Sequence, residues 1–225
     1  MAGYDRHQEP YRDRRHAGAE LAARLRHLKG RDVVVLALPR GGVPVGYEVA
    51  RASGAPLDVF LVRKLGLPGH RELAMGAIAS GGVRVLNDEV VGWYRIPESV
   101  IDAVAQEEQG ELERREREYR AGRPPVALKG RTVILVDDGL ATGSTMKAAV
   151  QAVRAHAPAH IIVAVPVGSP DTCQEFADIA DEIVCARAPE YFAAVGQWYR
   201  DFSQTTDEEV RDLLHDAPAL AERPS

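Results

Sequence analysis

Five short runs rich in apolar and β-branched residues divide the 225-residue chain. They read DVVVLAL, LDVFLV, RTVILV, HIIVAVPV and DEIVCA, and stretches with helical spacing separate most of them. Continuous apolar runs are typical of strands covered on both faces, and strands that alternate with helices form parallel sheets. The sequence therefore predicts an α/β fold, with a mostly parallel twisted sheet and helices on both of its faces.

Helical periodicity predicts the elements between these strands. Leu21, Leu25 and Leu28 indicate an amphipathic helix over about 13–28, whose arginines we expect to form a solvated face. Ser169 stands before Pro170 as a capping residue precedes a proline at a helix start. VPVGYEVARAS and DEEVRDLL each predict a short helix. One face of a further helix is expected to carry Met146, Ala149, Val150 and Val153.

Two segments depart from this alternation. Residues 65–82 are rich in glycine and low in periodicity, which predicts a long mobile loop. Residues 98–121 predict a long charged helix, apolar only in its first turns and laced with Glu–Arg pairs at i,i+4 spacing. Such a helix either projects into solvent or meets a partner subunit, and a homodimer is among the expected assemblies.

Composition excludes several classes of function. The net charge of −5 and the pI of about 5.8 disfavour a general nucleic-acid binder. No apolar run approaches the length of a membrane span, and Met1 to Pro10 lacks an apolar signal segment. We therefore expect a soluble cytoplasmic protein that binds no membrane. Cys173 and Cys185 lack a CxxC spacing and are expected to be reduced thiols in or near the core.

The stretch VILVDDGLATGST joins an apolar strand to a helix through two acids and a small loop. Asp137 and Asp138 fall at the carboxyl end of the strand, where open α/β sheets bind ligands. The loop that follows leads into a helix N-terminus, which favours an anion, and its hydroxyl groups add donors. Since carboxylates repel a phosphate, the two acids must face another part of the same ligand, such as sugar hydroxyls or a cation.

Two common phosphate motifs do not fit this chain. A P-loop requires GxxxxGK[ST], and the lysine is absent from the loop after Asp138. A dinucleotide fingerprint requires GxGxxG after the first strand, and PRGGVPVG does not supply it.

The acid-containing stretch closely resembles the phosphoribosyl pyrophosphate (PRPP) motif of the type I phosphoribosyltransferases. PRGG, Pro39–Gly42, resembles the pyrophosphate loop of that family, which often holds a non-proline cis peptide. FLVRKLGLPG resembles the basic strand end that opens the flexible catalytic loop, most closely in adenine phosphoribosyltransferases. PEYFAAVGQWYRDF resembles the hood that covers the base in hypoxanthine-guanine enzymes. The charged helix is foreign to compact salvage enzymes but fits a group of bacterial predicted phosphoribosyltransferases whose acceptor is unassigned.

The resemblance implies one domain over 1–225, with a core at about 31–186 and a hood and helix at about 187–216. It implies transfer of phosphoribosyl from PRPP to a nitrogenous acceptor, such as a nucleobase, with release of pyrophosphate, as in nucleoside salvage. Asp137 and Asp138 would hold the ribose hydroxyls and orient Mg²⁺ through PRPP or water. The pyrophosphate would contact Arg40, Lys64, Gly41 and Gly42, with Arg63 as a weaker candidate. The 5-phosphate would contact Thr142, Gly143, Ser144 and Thr145, beside Ala141. The acceptor ring would contact Phe192 and Trp198.

Three of these assignments stay open. Phe192 and Trp198 either stack on the acceptor or cover the sheet edge. Ala141 stands where the hypoxanthine class carries an Asp that handles the base proton, whereas adenine-type enzymes have Ala there and use a Glu of the loop. Glu72 could take that role here, with His70 as another candidate. The loop at 65–82 would close over the site and exclude water.

A second class of function competes with the transferase. The same fold serves in regulators that bind PRPP without turning it over, although these usually add a DNA-binding domain or a basic RNA face. A PRPP-synthesising kinase would require a second similar domain, and the chain is too short for two.

Overall fold

A computed structural model describes residues 9–218, except the side chains of Arg71 and Glu72. The strands are β1 (Val33–Ala37), β2 (Leu57–Val59), β3 (Val62–Leu67), β4 (His70–Ala79), β5 (Val83–Leu86), β6 (Thr132–Val136), β7 (His160–Val167) and β8 (Glu182–Arg187). Five of them form a sheet in the order β2-β1-β6-β7-β8, and every pair in it is parallel. This confirms the parallel α/β architecture.

The described chain also contains seven α-helices. They are α1 (Arg14–Arg24), α2 (Gly42–Ser53), α3 (Asp88–Trp93), α4 (Glu98–Arg120), α5 (Ser144–Arg154), α6 (Pro170–Ile179) and α7 (Asp207–Asp216). Side chains cap several of them, as at Ser169, whose side chain accepts a hydrogen bond from the Thr172 amide at the start of α6. The helix predicted over 13–28 ends at Arg24, and a 3₁₀ turn at Arg26–Leu28 follows it.

Alternate residues of the central strands face two separate cores. Val33, Val35 and Ala37 of β1 pack with apolar residues of α1, α2, α4 and α7. Val34 and Leu36 pack on the other face with α5 and α6, where Met146, Ala149, Val150 and Val153 are all buried. Because both faces are covered, the strands tolerate the uninterrupted apolar runs seen in the sequence.

The prediction of a long loop at 65–82 is wrong. The chain instead forms a second, antiparallel sheet in the order β3-β4-β5. Leu65, Met75 and Ile78 are fully buried in it and pack in the α4 side of the core. Glycine hides this strand in the sequence, yet Gly76 is needed because a Cβ there would lie 2.4 Å from the Val85 carbonyl oxygen.

The run LDVFLV is not one strand, as the sequence had suggested. β2 ends at Val59, and after Phe60 and Leu61 the chain starts β3 in the second sheet. The Ser80 hydroxyl accepts a hydrogen bond of 2.8 Å from the Leu61 amide at this crossover. The break therefore carries the basic residues after Leu61 out of the central sheet.

The charged helix α4 does not project into solvent. Ile101, Ala105, Leu112 and Tyr119 form a buried seam along it and join the same core as β3 and β4. Near its end, the Arg120 Nε donates to Asp58 Oδ1 at 2.9 Å, and both side chains are nearly buried. The apolar positions lie too far apart to stand out among the surrounding Glu and Arg residues, so sequence periodicity missed the seam.

Gly110→Ala is expected to raise the free energy of unfolding by about 0.5–1 kcal/mol. Gly110 lies exposed in the middle of α4, and a Cβ there would meet no atom within 4 Å. The alanine therefore improves helix propensity without a steric cost. Urea unfolding measures the change. Gly76→Ala, whose Cβ would clash with the Val85 carbonyl oxygen, should instead lower the free energy of unfolding.

Within residues 9–218, no helix combines the length and apolar character needed to cross a bilayer. Cys173 is buried in the core and the partly buried Cys185 packs against it, which confirms their expected place; both are free thiols in the structure.

Candidate active site

The loop Pro39–Gly42 packs directly against the acid pair. The Leu38 amide donates to the Val136 carbonyl at 2.9 Å, which ties the end of β1 to the end of β6. A Cβ at Gly41 would lie 2.1 Å from Asp138 Oδ2, and one at Gly42 would lie 2.7 Å from the Val136 carbonyl oxygen. Both positions therefore require glycine for close approach rather than for unusual dihedral angles. The peptide bond between Pro39 and Arg40 is cis, as the resemblance of this loop to the family's pyrophosphate loop implied.

Asp137 and Asp138 lie side by side at the end of β6 in a low-dielectric environment. Burial and the neighbouring Asp138 raise the pKa of Asp137 well above its usual value. Burial also raises the pKa of Asp138, while its hydrogen bond to Arg14 acts in the opposite direction. The Arg14 Nε lies 2.8 Å from Asp138 Oδ2, and the two side chains are 11% and 16% exposed. The acid pair is thus partly neutralised by a buried arginine.

Arg14 corrects the expectation that the arginines of α1 form a solvated face. Its Nη1 donates to the Ser203 carbonyl at 2.7 Å, and its guanidinium stacks 4.1 Å from the Phe202 ring centroid. Sequence reasoning missed this residue because the partner acid lies 124 positions away along the chain. The only local signal is its place in the first turn of the helix, which does not indicate a partner.

The segment that follows the 3₁₀ turn Val195–Trp198 also reaches the acid pair. The Tyr199 hydroxyl donates to the Asp138 carbonyl oxygen at 2.5 Å, and burial raises the pKa of Tyr199, which keeps its proton in place. A Cβ at Gly139 would lie 2.5 Å from Val195 Cγ1, so this turn also packs on the small loop. The segment that was predicted to form the hood therefore packs against the backbone of Asp138 and helps to hold it in place.

The small loop turns into α5 at Gly143. This residue has φ of 70°, in the left-handed region, and a Cβ there would lie 2.6 Å from Phe176 Cε2. Ser144 begins α5, and Thr142 Oγ1 lies 3.4 Å from Ser144 Oγ. The Ala141 carbonyl accepts a hydrogen bond of 2.6 Å from Thr172 Oγ1, which fixes the loop to α6. Glycine is needed here for both conformation and space.

The predicted basic residues line two cavities next to these loops. Lys64 lines a cavity of about 350 Å³ together with Ser144 and Thr145. Arg40 and Arg63 line a second, of about 140 Å³, which Thr145 also borders. Thr145 thus contacts both cavities, and the structure brings the three basic side chains to the start of α5.

Phe192 and Trp198 pack against a small aromatic cluster that contains Tyr11 and Tyr199. This packing favours the alternative in which the two side chains cover the edge of the sheet. The Trp198 Nε1 is buried and has no hydrogen-bond partner among the described residues. Stacking on an acceptor remains a prediction for both side chains.

His70 and Glu72 lie in β4, on the hairpin formed with β3. The side chain of Glu72 lies outside the described part of the structure, so its proposed role in proton transfer stays a prediction. The same holds for closure of this segment over the site.

A parallel sheet with loops of this kind gathered at its carboxyl edge is the architecture of a phosphoribosyltransferase domain. The family model described as "Phosphoribosyl transferase domain" matches residues 8–196. The chain belongs to this family.

Two curated proteins from Mycobacterium tuberculosis strains, each named "Putative phosphoribosyl transferase", are 52% identical to the chain over 202 residues. The match covers 90% of this chain but 46% of each relative, so the chain spans about half of their length. The crystal structure of TT1426 from Thermus thermophilus matches with a TM-score of 0.82 and 45% identity, over 93% of this chain and 100% of that one. A purine phosphoribosyltransferase from Pyrococcus horikoshii matches at 18% identity over 80% of this chain and 92% of that one, with a TM-score of 0.44.

Proposed function

We propose that the protein transfers the 5-phosphoribosyl group of PRPP to a nitrogenous acceptor, most simply a nucleobase, and releases pyrophosphate. The contact between the Pro39–Gly42 loop and Asp138 carries this proposal, because it joins an anion-binding loop to a pair of carboxylates. A ligand with a diphosphate beside a ribose matches that arrangement, and the family of the chain supports it.

The proposed reaction displaces pyrophosphate from the anomeric carbon through a transition state with oxocarbenium character. Asp137 and Asp138 would hold the ribose 2- and 3-hydroxyls, and their negative charge would face the positive charge that grows on the sugar. Thr142, Gly143, Ser144 and Thr145 would bind the 5-phosphate at the N-terminus of α5. Arg40, Lys64 and the amides of Gly41 and Gly42 would stabilise the charge on the leaving group, with Arg63 beside them. Such electrostatic stabilisation is usually the largest contribution in sites of this kind.

Magnesium fits this site only as an ion shared with the ligand. Among residues 9–218, no group of three His, Cys, Asp or Glu side chains is placed to hold a metal ion. Two adjacent carboxylates are nevertheless the hard oxygen donors that Mg²⁺ prefers. Asp137 and Asp138 would therefore orient Mg²⁺ through PRPP or water, and the ion would neutralise the diphosphate.

The acceptor would enter on the side of the hood. Phe192 and Trp198 are proposed to border the acceptor ring, since they adjoin Tyr199, which contacts Asp138. The hairpin of β3 and β4 is proposed to close over PRPP, with His70 or Glu72 handling a proton of the acceptor. Closure would exclude water and so protect PRPP from hydrolysis.

The deciding experiment measures pyrophosphate release from PRPP with Mg²⁺ across purines, pyrimidines, nicotinate-like rings and simple amines. Release that depends on one class of acceptor would support the transferase and identify the acceptor. Folded protein that binds PRPP but releases no pyrophosphate with any member would instead favour the regulatory alternative. Protein that does not bind PRPP would contradict both.

Lys64→Ala is expected to lower turnover at least about tenfold, because a charge-assisted hydrogen bond contributes roughly 1.5–3 kcal/mol. Lys64 is exposed on β3 and lines the cavity that Ser144 and Thr145 border, so the fold should be unaffected. Lys129→Ala, at another exposed position, removes the same charge far from these loops and serves as the control. Equal turnover in the two variants would remove Lys64 from the proposed site.

A further inference from the structure

The cavity of about 140 Å³ lies between four elements of the chain. It is bordered by the loop after β1, the start of β3, one face of α4 and the start of α5. The polar side chains that line it are Arg40, Arg63, Arg115, Tyr119 and Thr145. Three arginines from three separate elements therefore converge on one small space. Arg115 and Tyr119 come from the charged helix, to which the sequence assigned no part in the site.

None of the three arginine side chains is fully buried. Their side chains are 34%, 27% and 45% exposed for Arg40, Arg63 and Arg115 respectively. Each has a different acidic partner: Asp207 for Arg40, Glu108 for Arg63 and Glu111 for Arg115. The Arg63–Glu108 pair is partly buried, whereas the pairs of Arg40 and Arg115 are more exposed and therefore weak. A stronger anion can compete for the guanidinium groups of Arg40 and Arg115. Guanidinium groups match phosphate oxygens in geometry as well as in charge.

Asp207 connects two members of this cavity through one atom. Its Oδ1 lies 3.7 Å from Arg40 Nη1 and accepts a hydrogen bond of 2.6 Å from the Tyr119 hydroxyl. Tyr119 is 2% exposed, and burial together with Asp207 raises its pKa to about 12, so the hydroxyl remains a donor at neutral pH. Asp207 itself is the first residue of α7 and its side chain is 52% exposed. The carboxylate can therefore turn to solvent once a ligand oxygen accepts the hydrogen bond of the buried Tyr119 hydroxyl in its place.

We propose that Arg115 and Tyr119 complete the subsite for the pyrophosphate group, and that Asp207 occupies part of this subsite until the ligand displaces it. The inference rests on the proposed function, since it takes the leaving group of PRPP as the ligand. A diphosphate would replace the one carboxylate oxygen that Arg40 and Tyr119 share, and its other oxygens would reach Arg115. Asp207 then acts as an internal competitor that weakens binding of the free anion.

The test measures binding of inorganic pyrophosphate with Mg²⁺ by calorimetry at fixed ionic strength. Arg115→Gln should weaken binding about tenfold, since a hydrogen bond to a charged group is lost. Asp207→Asn should tighten it about threefold to tenfold, because the competing charge is removed while the side chain keeps its shape. The matched controls are Arg117→Gln, on the exposed side of α4, and Asp212→Asn, exposed on α7; neither should change binding more than about twofold.

Opposite shifts in the two variants cannot come from a general loss of folding, which would weaken binding in both. If Asp207→Asn binds pyrophosphate no more tightly than Asp212→Asn, Asp207 is not an internal competitor for the anion. If Arg115→Gln binds pyrophosphate as tightly as Arg117→Gln does, α4 does not contribute to the subsite. Wild-type protein that turns over PRPP while the variants behave like their controls would overturn this inference and leave the proposed function standing. Failure of the wild type to bind pyrophosphate at all would overturn the subsite, whereas PRPP turnover tests the proposed function separately.

Discussion

Asp138→Asn is expected to reduce turnover of PRPP by about 100-fold to 1000-fold, which corresponds to about 2.7–4 kcal/mol of the barrier. Asparagine keeps the size of the side chain and one oxygen for Arg14, so the packing on Gly41 is retained. The variant loses the charge that is proposed to face the sugar in the transition state. Initial rates of pyrophosphate release with the identified acceptor measure the effect.

The control for this variant is Asp171→Asn, which removes the same charge at an exposed position near the start of α6. Its turnover should equal that of the wild type. Circular dichroism and thermal unfolding should show that Asp138→Asn remains folded. Turnover within a factor of about two of the wild type, in folded Asp138→Asn, would contradict the proposed role of the acid pair.

Arg14→Met is expected to lower the free energy of unfolding at pH 7 by about 3 kcal/mol, the lower end of the cost of breaking a buried ion pair. Methionine fills the space of the arginine stem but leaves Asp138 without its cation beside Asp137. The lower end applies because Asp138 keeps 16% of its side chain exposed. Urea unfolding at pH 7 measures the effect.

The pH dependence of this deficit follows from the pKa shifts. Arg14 lowers the pKa of both acids against their burial, so its removal raises both pKa values further in the folded state. A carboxyl group whose folded pKa is raised stabilises the fold when protonated and destabilises it as pH rises through that pKa. The deficit should therefore be largest at neutral pH and shrink as the pH falls through the raised folded pKa values of the two acids. It should be absent below about pH 4, the ordinary pKa of an aspartate.

Arg24→Met provides the comparison, because Arg24 is exposed in the last turn of the same helix. It should unfold like the wild type at every pH. A deficit in Arg14→Met that is independent of pH would mean that Arg14 contributes packing rather than charge. If Arg14→Met is as stable as Arg24→Met, the Arg14–Asp138 ion pair does not stabilise the fold.

The main sheet could be predicted because its signals are local. The runs at β1, β6 and β7 are apolar on both faces, and only strands covered by helices on each side tolerate that pattern. The neighbouring acids and the glycine loop after β6 likewise lie next to one another along the chain. Their position at the carboxyl end of a parallel strand follows from chain order alone.

The β3–β4 hairpin and the buried seam of α4 could not be predicted in the same way. Gly76 lowers the strand signal of β4, but packing of Met75 and Ile78 against α4 outweighs that weak propensity. The four buried residues of α4 are outnumbered by charged neighbours, so their burial depends on the sheet that covers them.

The sequence by itself determined the parallel α/β sheet, the family and the loops that end its strands, because each is recorded in contiguous residues. Only the tertiary structure decided which distant side chains meet those loops. Arg14 reaches Asp138 from the first helix, and Arg115 and Asp207 approach Arg40 from the charged helix and the last one. An arginine on an amphipathic helix looks the same in sequence whether it faces water or a buried acid, since its partner is set by how the helices pack.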